Sequence, residues 1–226
     1  MRRYPFIDFQ PTREPGNDIL TVEDLTKPGF FDNISFTLRR DEKVAFISSN
    51  SLIPTALFKI LAGEDNDYTG SFKWGVTITH SFFPQENNKY FKRDLNLVDW
   101  VRQYTGMEQS ETFIRGWLGR MLFSGEESLK SATVLSGGEK VRCMLIKMML
   151  SGANVLLLDD PTNHLDLESI TSLNQGMSRF KGNLLFTSHD QELLDTVANR
   201  IIVLDNTILF DKMCNYEDYL DEIENK

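Results

Sequence analysis

Three short apolar runs constrain the fold of this chain more than any other feature. They read KVAFIS, NVLLLDD and NLLFTSHD, and each has the length of a strand with few polar residues before its end. A strand that is apolar on both faces must be covered on both faces, which is typical of a parallel sheet between layers of helices. Helical patterns such as TALFKILAG and VRCMLIKMML separate the runs. We therefore predict an α/β fold with a mostly parallel sheet.

Two smaller units are predicted beside this sheet. From Ile19 to Phe36 apolar and polar residues alternate around Lys27-Pro28-Gly29, which predicts two antiparallel strands joined by a turn. Residues of about 95–135 carry apolar side chains at helical intervals and indicate a small helical subdomain. The late segment RIIVLDNTILFDKM is typical of a hairpin that turns at Asp205-Asn206.

The ends of the chain differ in composition from this body. Residues 1–18 hold three prolines without a periodic pattern and are interpreted as a linker-like segment, so we expect a fragment of a longer protein. Residues 19–212 form the predicted main domain, and residues 213–226 form an acidic tail. The chain has 226 residues, enough for one large domain or a core with a small subdomain.

Charge and cysteine content exclude several classes of protein. The 33 acidic and 24 basic residues give a net charge of -9, which lacks the overall basic field of most nucleic-acid-binding proteins. No apolar run is long enough to cross a bilayer, so we expect no membrane insertion. Cys143 and Cys214 lack the spacing of metal ligands. A cytoplasmic protein fits these features best.

The segment Leu135-Ser136-Gly137-Gly138-Glu139 carries the strongest chemical signal. Adjacent glycines expose backbone N–H groups at the start of an apolar helix, and the serine adds a hydroxyl. Such an arrangement is suited to an anionic phosphate. An ordinary glycine turn that caps the helix is the alternative for these five residues alone.

Two buried strands end in further polar residues. NVLLLDD places Asp159 and Asp160 at the carboxyl end of its strand, where ligands of open α/β sheets bind. Asp159 is suited to hold magnesium, and Asp160 to polarise an attacking water. NLLFTSHD ends near His189, which is expected to point into the same crevice and contact a terminal phosphate.

With these motifs in this order, the chain resembles the ATP-binding-cassette (ABC) ATPases from about Ile19 to Phe210. The resemblance implies a P-loop NTPase-like core, with LSGGE as the signature motif and VLLLDD as the Walker B strand. It also implies a Q-loop glutamine at Gln85, a D-loop from Asn163 to Asp166, and a switch histidine at His189. The string DPTNHLDLESI resembles the ABC-F branch, soluble proteins with two such domains, many of which act on the ribosome. RRYPFIDF resembles the start of their second domain.

The phosphate-binding loop departs from the family pattern. Where G-x-x-x-x-G-K-[ST] is expected, the chain has Ser48-Ser49-Asn50-Ser51-Leu52-Ile53-Pro54-Thr55, and only the last residue survives. Branched Ile53 resists the backbone conformations that wrap around phosphate, and Pro54 supplies neither an ammonium nor an N–H. Losing two or three charge-assisted hydrogen bonds weakens phosphate binding by roughly a thousandfold. Thr55 remains as a magnesium ligand beside Asp159.

Two more positions of the nucleotide site are altered. Asp160 stands where the family usually has a catalytic glutamate and is one methylene shorter, and a misplacement of about 1 Å costs roughly a hundredfold in rate. The segment LTKPGFFDN is short for a loop that stacks an aromatic ring on adenine, which leaves Phe30 as the candidate. Three weakened parts beside an intact LSGGE suggest selective loss of one site.

We therefore expect a domain that presents Ser136, Gly137, Gly138 and Glu139 to ATP and Mg²⁺ held by a second ABC ATPase domain, while its own site is weak. That partner is expected in the same parent chain, with the ribosome as a further partner. Three alternatives stay open: an active ATPase with an unconventional loop, a docking scaffold without nucleotide chemistry, and the ATPase subunit of an ABC transporter.

Overall fold

The computed structural model describes residues 4–225 and contains two sheets with helices packed around them. The strands are β1 Asp18–Lys27, β2 Phe31–Arg39, β3 Lys43–Ile47, β4 Thr69–Trp74, β5 His80–Phe83, β6 Val155–Asp159, β7 Asn183–Thr187, β8 Arg200–Leu204 and β9 Ile208–Lys212. The α-helices are α1 Leu52–Leu61, α2 Leu97–Arg102, α3 Glu111–Arg120, α4 Gly137–Ser151, α5 Leu167–Arg179, α6 Gln191–Val197 and α7 Tyr216–Glu224. Short 3-10 helices span Asn88–Phe91, Gly125–Leu129 and Ala132–Val134.

The larger sheet has six strands in the order β5-β6-β7-β3-β8-β9, and only β9 runs antiparallel to its neighbour. The three apolar runs form β3, β6 and β7 at its centre, which confirms the predicted mostly parallel sheet. All five residues of β6 are buried, as expected for a strand covered on both faces. The hairpin predicted around Asp205-Asn206 is β8 and β9.

The smaller sheet is antiparallel and has the order β2-β1-β4. The turn at Lys27-Pro28-Gly29 joins β1 to β2 as predicted, and Gly29 has φ 82°, a conformation that glycine adopts without strain. Alternating side chains of β2 pack inward with α1 and one face of the larger sheet. The predicted antiparallel β subdomain is therefore present, with β4 as a third strand.

A helical subdomain lies between the two parts of the larger sheet in sequence. Helices α2 and α3 are capped by Asn96 and Ser110, whose side chains each accept a hydrogen bond from a backbone N–H of the first turn. Trp100 is fully buried and stacks on Phe91 with 5.0 Å between the ring centroids. The spacing of apolar residues that predicts this subdomain thus corresponds to real helices.

Both ends of the described chain pack on the main body. Residues 4–17 form no helix or strand, yet Ile7 and Phe9 are buried in the core beside α4 and α5. The backbone N–H of Thr12 donates to the carbonyl of Gly152. The acidic segment predicted as a tail contains α7, and the first residues of the sequence, Met1 to Arg3, lie outside the described residues. Among residues 4–225, no helix combines the length and apolar character needed to cross a membrane.

Candidate nucleotide site

The loop between β3 and α1 occupies the position of a phosphate-binding loop. The sequence predicts a polar loop SNSLIP followed by a helix from Thr55, but α1 already begins at Leu52. The prediction misses one turn because proline is tolerated in the first turn of a helix, where its missing N–H costs no helical hydrogen bond. Ile53 and Pro54 are buried on the inner face of α1.

The polar side chains of this loop hold its own backbone. The amide oxygen of Asn50 accepts from the N–H of Leu52 at 3.0 Å, and the Asn50 carbonyl accepts from the N–H of Ile53 at 3.0 Å. The hydroxyl of Ser48 accepts from the N–H of Asn50 at 3.2 Å. These three N–H groups are therefore already engaged inside the protein.

A carboxylate from the β8–β9 turn holds the start of the loop. Oδ1 of Asp205 accepts three hydrogen bonds of 2.9 Å, from Ser48 Oγ, Ser49 N and Ser49 Oγ. Burial acts to raise the pKa of Asp205, but these hydrogen bonds outweigh it and lower the pKa below its usual value of 3.8. An anion of the protein itself thus takes donors that a phosphate loop offers to its ligand.

The loop backbone also lacks left-handed residues. None of residues 48–55 has a positive φ, and Ser51, before the first helical residue, has φ -60° and ψ -21°. A nest for a phosphate alternates right-handed and left-handed residues so that consecutive N–H groups converge. The conformation here is an ordinary helix entry.

Asp159, at the carboxyl end of β6, is buried to 2% exposure and accepts two hydroxyl hydrogen bonds. Thr55 Oγ1 donates to its Oδ2 at 2.5 Å and Thr187 Oγ1 to its Oδ1 at 2.9 Å. Burial raises the pKa of Asp159, and the hydroxyl bonds oppose that rise only in part. The structure thus brings Asp159 and Thr55 together, and both are oxygen donors of the kind that magnesium prefers.

Asp160 follows directly and has a strained backbone with φ 48°. Its N–H donates to Thr187 Oγ1 at 2.9 Å, which fixes the turn. The Nε2 atom of His189 lies 4.0 Å from Asp160 Oδ2, with 83% of the histidine side chain exposed. Burial raises the pKa of Asp160, and the nearby His189 opposes that rise. The predicted meeting of these two residues in one crevice is therefore observed.

A cavity of about 210 Å³ joins these groups. Its polar lining includes Ser48, Ser51, Gln85, Asp159, Asp160, Thr187, Ser188, His189 and Gln191, and its apolar lining includes Phe46, Ile47, Pro54, Leu194 and Tyr216. Two carboxylates face this space, and the position of the family's lysine is proline. Among residues 4–225, no three His, Cys, Asp or Glu side chains are grouped to hold a metal ion alone. A cation here would need water or a bound ligand to complete its coordination.

The signature segment forms a second helix start, at α4. Ser136 is extended, with φ -68° and ψ 166°, and its hydroxyl accepts from the N–H of Glu139 at 3.2 Å. The carboxylate of Glu139 accepts from the N–H of Ser136, which completes a capping box. Lys130 holds the other Glu139 oxygen at 2.7 Å. The side chains of this motif lie outside the cavity lining.

Other predicted residues have clear positions. Gln85 lines the cavity. Asp166 caps α5, with its Oδ1 2.8 Å from the N–H of Ser169, and hydrogen bonding with the side chain and the backbone of Ser169 lowers the pKa of the carboxyl. Phe30, the candidate for stacking on adenine, packs against the core of the small sheet and is absent from the cavity lining.

No pattern in the sequence indicates the contacts that Asp205 and His164 make in the site region, although His164 lies in the predicted D-loop. Asp205 is 156 residues from Ser49, and its place in a predicted turn carried no sign of a loop contact. His164, with φ 67°, lies against the signature glycines. The only sign in the sequence was that His164 belongs to the string that follows Asp160. No spacing rule predicts that His164 contacts Gly137.

Comparison with known proteins identifies the protein family that this chain matches. The model of the family described as ABC transporter matches residues 31–163. The chain is 57% identical, over 99% of its length, to the Bacillus subtilis protein named uncharacterized ABC transporter ATP-binding protein YkpA. It is 31% identical, over 83% of its length, to the Haemophilus influenzae protein named energy-dependent translational throttle protein EttA. The chain spans only 42% of the first relative and 35% of the second.

The fold has a counterpart among solved structures. The chain superposes on cbiO1 from Clostridium perfringens, described as part of the ABC transporter complex cbiONQ, with a TM-score of 0.69 and 18% identity. The match covers 93% of each chain. At this identity the likeness shows the fold alone: a mostly parallel core sheet with an antiparallel and a helical subdomain.

Proposed function

Since this chain belongs to the ABC transporter family, whose ATPase domains bind ATP with Mg²⁺ and typically work in pairs, we propose that it supplies the signature half of a composite ATP site. Its own phosphate loop binds nucleotide weakly. The contrast between its two helix starts carries this proposal: the loop donors at α1 are bonded within the protein, whereas α4 begins with Gly137 and Gly138.

The state of the loop supports a weak site in this domain. Several loop donors are bonded to Asn50, Ser48 and Asp205, and Pro54 stands where the family has lysine. A nucleotide would have to displace these bonds without gaining an ammonium in return. The residues present therefore fit a magnesium ion at Asp159 and Thr55 better than they fit a triphosphate.

The signature supports a role toward a partner's nucleotide. Gly137 and Gly138 begin α4, and the first N–H groups of a helix have no partner within it. Of the first turn, the N–H of Glu139 is capped by Ser136, whose hydroxyl hydrogen is left to donate. Together with the helix dipole, these groups favour an anion. Because the motif lies outside the cavity lining, we assign that anion to the second domain.

A second ABC ATPase domain, in the same parent chain, is the proposed partner. The matched relatives are more than twice as long as the aligned segment, which leaves room for another domain of this size. We expect the pair to close with ATP between the domains and to separate after hydrolysis, a shift that depends on the tighter binding of ATP by the closed state. Turnover then belongs to the pair.

The ABC-F branch is the proposed subfamily, with the ribosome as a second partner. Its support is the string DPTNHLDLESI together with the relative named as a translational throttle. The net charge of -9 gives no support for RNA contact by this chain itself, so we place such contacts elsewhere in the parent protein.

The test is Ser136→Arg in the two-domain parent protein, with ATP hydrolysis as the readout. The bulky cation at the helix start should reduce the rate by at least about a hundredfold, the scale of losing a transition-state donor. Ser110→Arg is the matched control, since Ser110 also caps a helix through its side chain but lies outside the signature. That control should leave the rate within about twofold.

The outcomes separate the remaining candidates. Unchanged hydrolysis in Ser136→Arg would contradict the composite site and favour a docking scaffold. Hydrolysis by this chain alone, abolished by Asp159→Asn, would favour an active ATPase with an unconventional loop. Activation of hydrolysis by a membrane-embedded partner would favour the ATPase subunit of a transporter.

A further inference from the structure

The turn after Asp160 leads directly to the signature glycines. The N–H of Asn163 donates to the carbonyl of Asp160 at 3.3 Å, and the N–H of Leu165 donates to the carbonyl of Thr162 at 3.1 Å. These bonds hold His164 in the left-handed region, with φ 67°, which is uncommon for a residue with a side chain. The turn is thus a defined structure that projects one residue.

That residue lies against the bare backbone of α4. A Cβ atom built on Gly137 would be 3.0 Å from Cγ and 3.2 Å from Nδ1 of the His164 ring. A Cβ atom built on Gly138 would be 2.8 Å from the His164 carbonyl oxygen. The distance at Gly138 is shorter than real Cβ contacts, and the distances at Gly137 are tighter than most of them, so glycine at both positions lets His164 lie close to this helix start.

The two contacts come from different parts of the same residue. Gly137 meets the imidazole ring, whereas Gly138 meets the main chain. His164 also acts on Asp160, where it opposes the effect of burial on the pKa of that carboxyl. One residue therefore lies against the signature backbone and also influences the carboxyl of Asp160, which follows β6.

We infer that His164 is a positioning residue that holds the N–H groups of Gly137 and Gly138 in place for the partner's nucleotide and joins them to the turn at Asp160. This inference rests on the proposed composite site and adds a residue to it. The ring lies close enough to Gly137 to restrict the backbone there, and we expect this to keep the first N–H groups of α4 in one direction. Without the ring, the same donors would be present but less well directed.

The steric part is tested in this chain alone by chemical denaturation. Gly137→Ala should lower the denaturation midpoint, and His164→Gly in the same chain should restore most of the loss, because glycine removes the ring and accepts φ 67°. Gly138→Ala is the matched control. His164→Gly should not rescue it, because the clashing carbonyl oxygen remains. The changes in midpoint should therefore be non-additive when His164→Gly is combined with Gly137→Ala, and additive when it is combined with Gly138→Ala.

The functional part is tested in the two-domain parent protein by steady-state ATP hydrolysis. His164→Gly should raise KM for ATP about tenfold, the scale of weakening one charge-assisted hydrogen bond, with kcat changed by less than about twofold. His164→Asn keeps Cβ, Cγ and an atom in place of Nδ1, and asparagine tolerates the left-handed region. This conservative variant should therefore retain a KM close to that of the unmodified protein.

Two results would overturn the inference. One is equal rescue of Gly137→Ala and Gly138→Ala by His164→Gly, which would show that the ring makes no specific contact. The other is an unchanged KM in His164→Gly while Ser136→Arg abolishes hydrolysis, which would leave the composite site intact and remove His164 from it. Unchanged hydrolysis in both variants would instead contradict the proposed function itself.

Discussion

Helices α1 and α4 start in different ways although serine precedes both. Ser51, before α1, has a helical backbone and makes no side-chain cap. Ser136, before α4, is extended and forms a capping box with Glu139. The first helix continues a loop whose donors bond to the protein, and the second opens with two bare glycines. In one fold, therefore, one helix start follows a loop whose donors are bonded within the protein, and the other begins with two glycines behind a capping serine.

The difference shows that the residues needed for the fold are not the same as those needed to bind an anion. Helix α1 buries Ile53 and Pro54 where a phosphate loop has glycine and lysine, and it still packs between the two sheets. Apolar burial thus keeps the strand-loop-helix layout without the glycine and lysine of a phosphate loop. At α4, by contrast, the glycines have a steric reason to remain, since His164 lies against them.

The largest expected effect comes from making the first helix start open. Replacing residues 48–55 with a loop of the form G-x-x-x-x-G-K-T should raise ATP affinity of this chain by up to roughly a thousandfold, because N–H donors and an ammonium are regained. Isothermal titration calorimetry measures this. Pro54→Lys alone is the control and should give a much smaller gain. Equal affinities for both variants and the unmodified chain would break the comparison.

A smaller effect is expected at the buried carboxylate beside the start of α1. Asp159 has a raised pKa, so its charged form is disfavoured in the folded state. Asp159→Asn should therefore increase the free energy of unfolding at pH 7 by about 1 kcal/mol, the lower end for relieving a buried charge. The gain should shrink as the pH falls through that raised pKa toward 3.8, because the unmodified carboxyl becomes neutral. Urea denaturation at several pH values checks the trend.

The smallest effect is expected at Asp205, the carboxylate that accepts hydrogen bonds from Ser48 and Ser49. The pKa of Asp205 is lowered by the loop hydrogen bonds, so its charged form stabilises the fold above pH 3.8. Asp205→Asn should cost less than about 1 kcal/mol at pH 7, since the carboxylate is near the surface. The difference should vanish as the pH falls through the lowered pKa. Asn206→Ala, at the same turn, is the control, and an equal loss there would contradict the assigned role.

Much of the fold followed from local patterns in the sequence. The buried strands β3, β6 and β7 are continuous apolar runs, and the helices of the subdomain have regular apolar spacing. These patterns involve only a few consecutive residues, so they can be recognised without knowledge of the tertiary structure. The start of α1 was missed by three residues because polar residues and a proline are typical of loops and first helical turns alike.

The site was predictable only where its residues stand at the ends of strands that the sequence reveals. Asp159, Asp160 and His189 end buried strands, so their meeting at one edge of the sheet follows from topology. The hydrogen bond from Ser49 to Asp205 and the contact of His164 with Gly137 each join segments that are distant in sequence. The geometry of these contacts depends on the packing of the whole domain, so the spacing of residues along the sequence does not predict it.

The most direct measurement of the central claim is a titration of this chain with ATP and Mg²⁺, followed by an assay for released phosphate. A closed loop at α1 predicts no saturation at micromolar ATP and no turnover by the isolated chain. Micromolar affinity with magnesium-dependent turnover would contradict it and show that the loop of Ser48 to Thr55 still works as a nucleotide site.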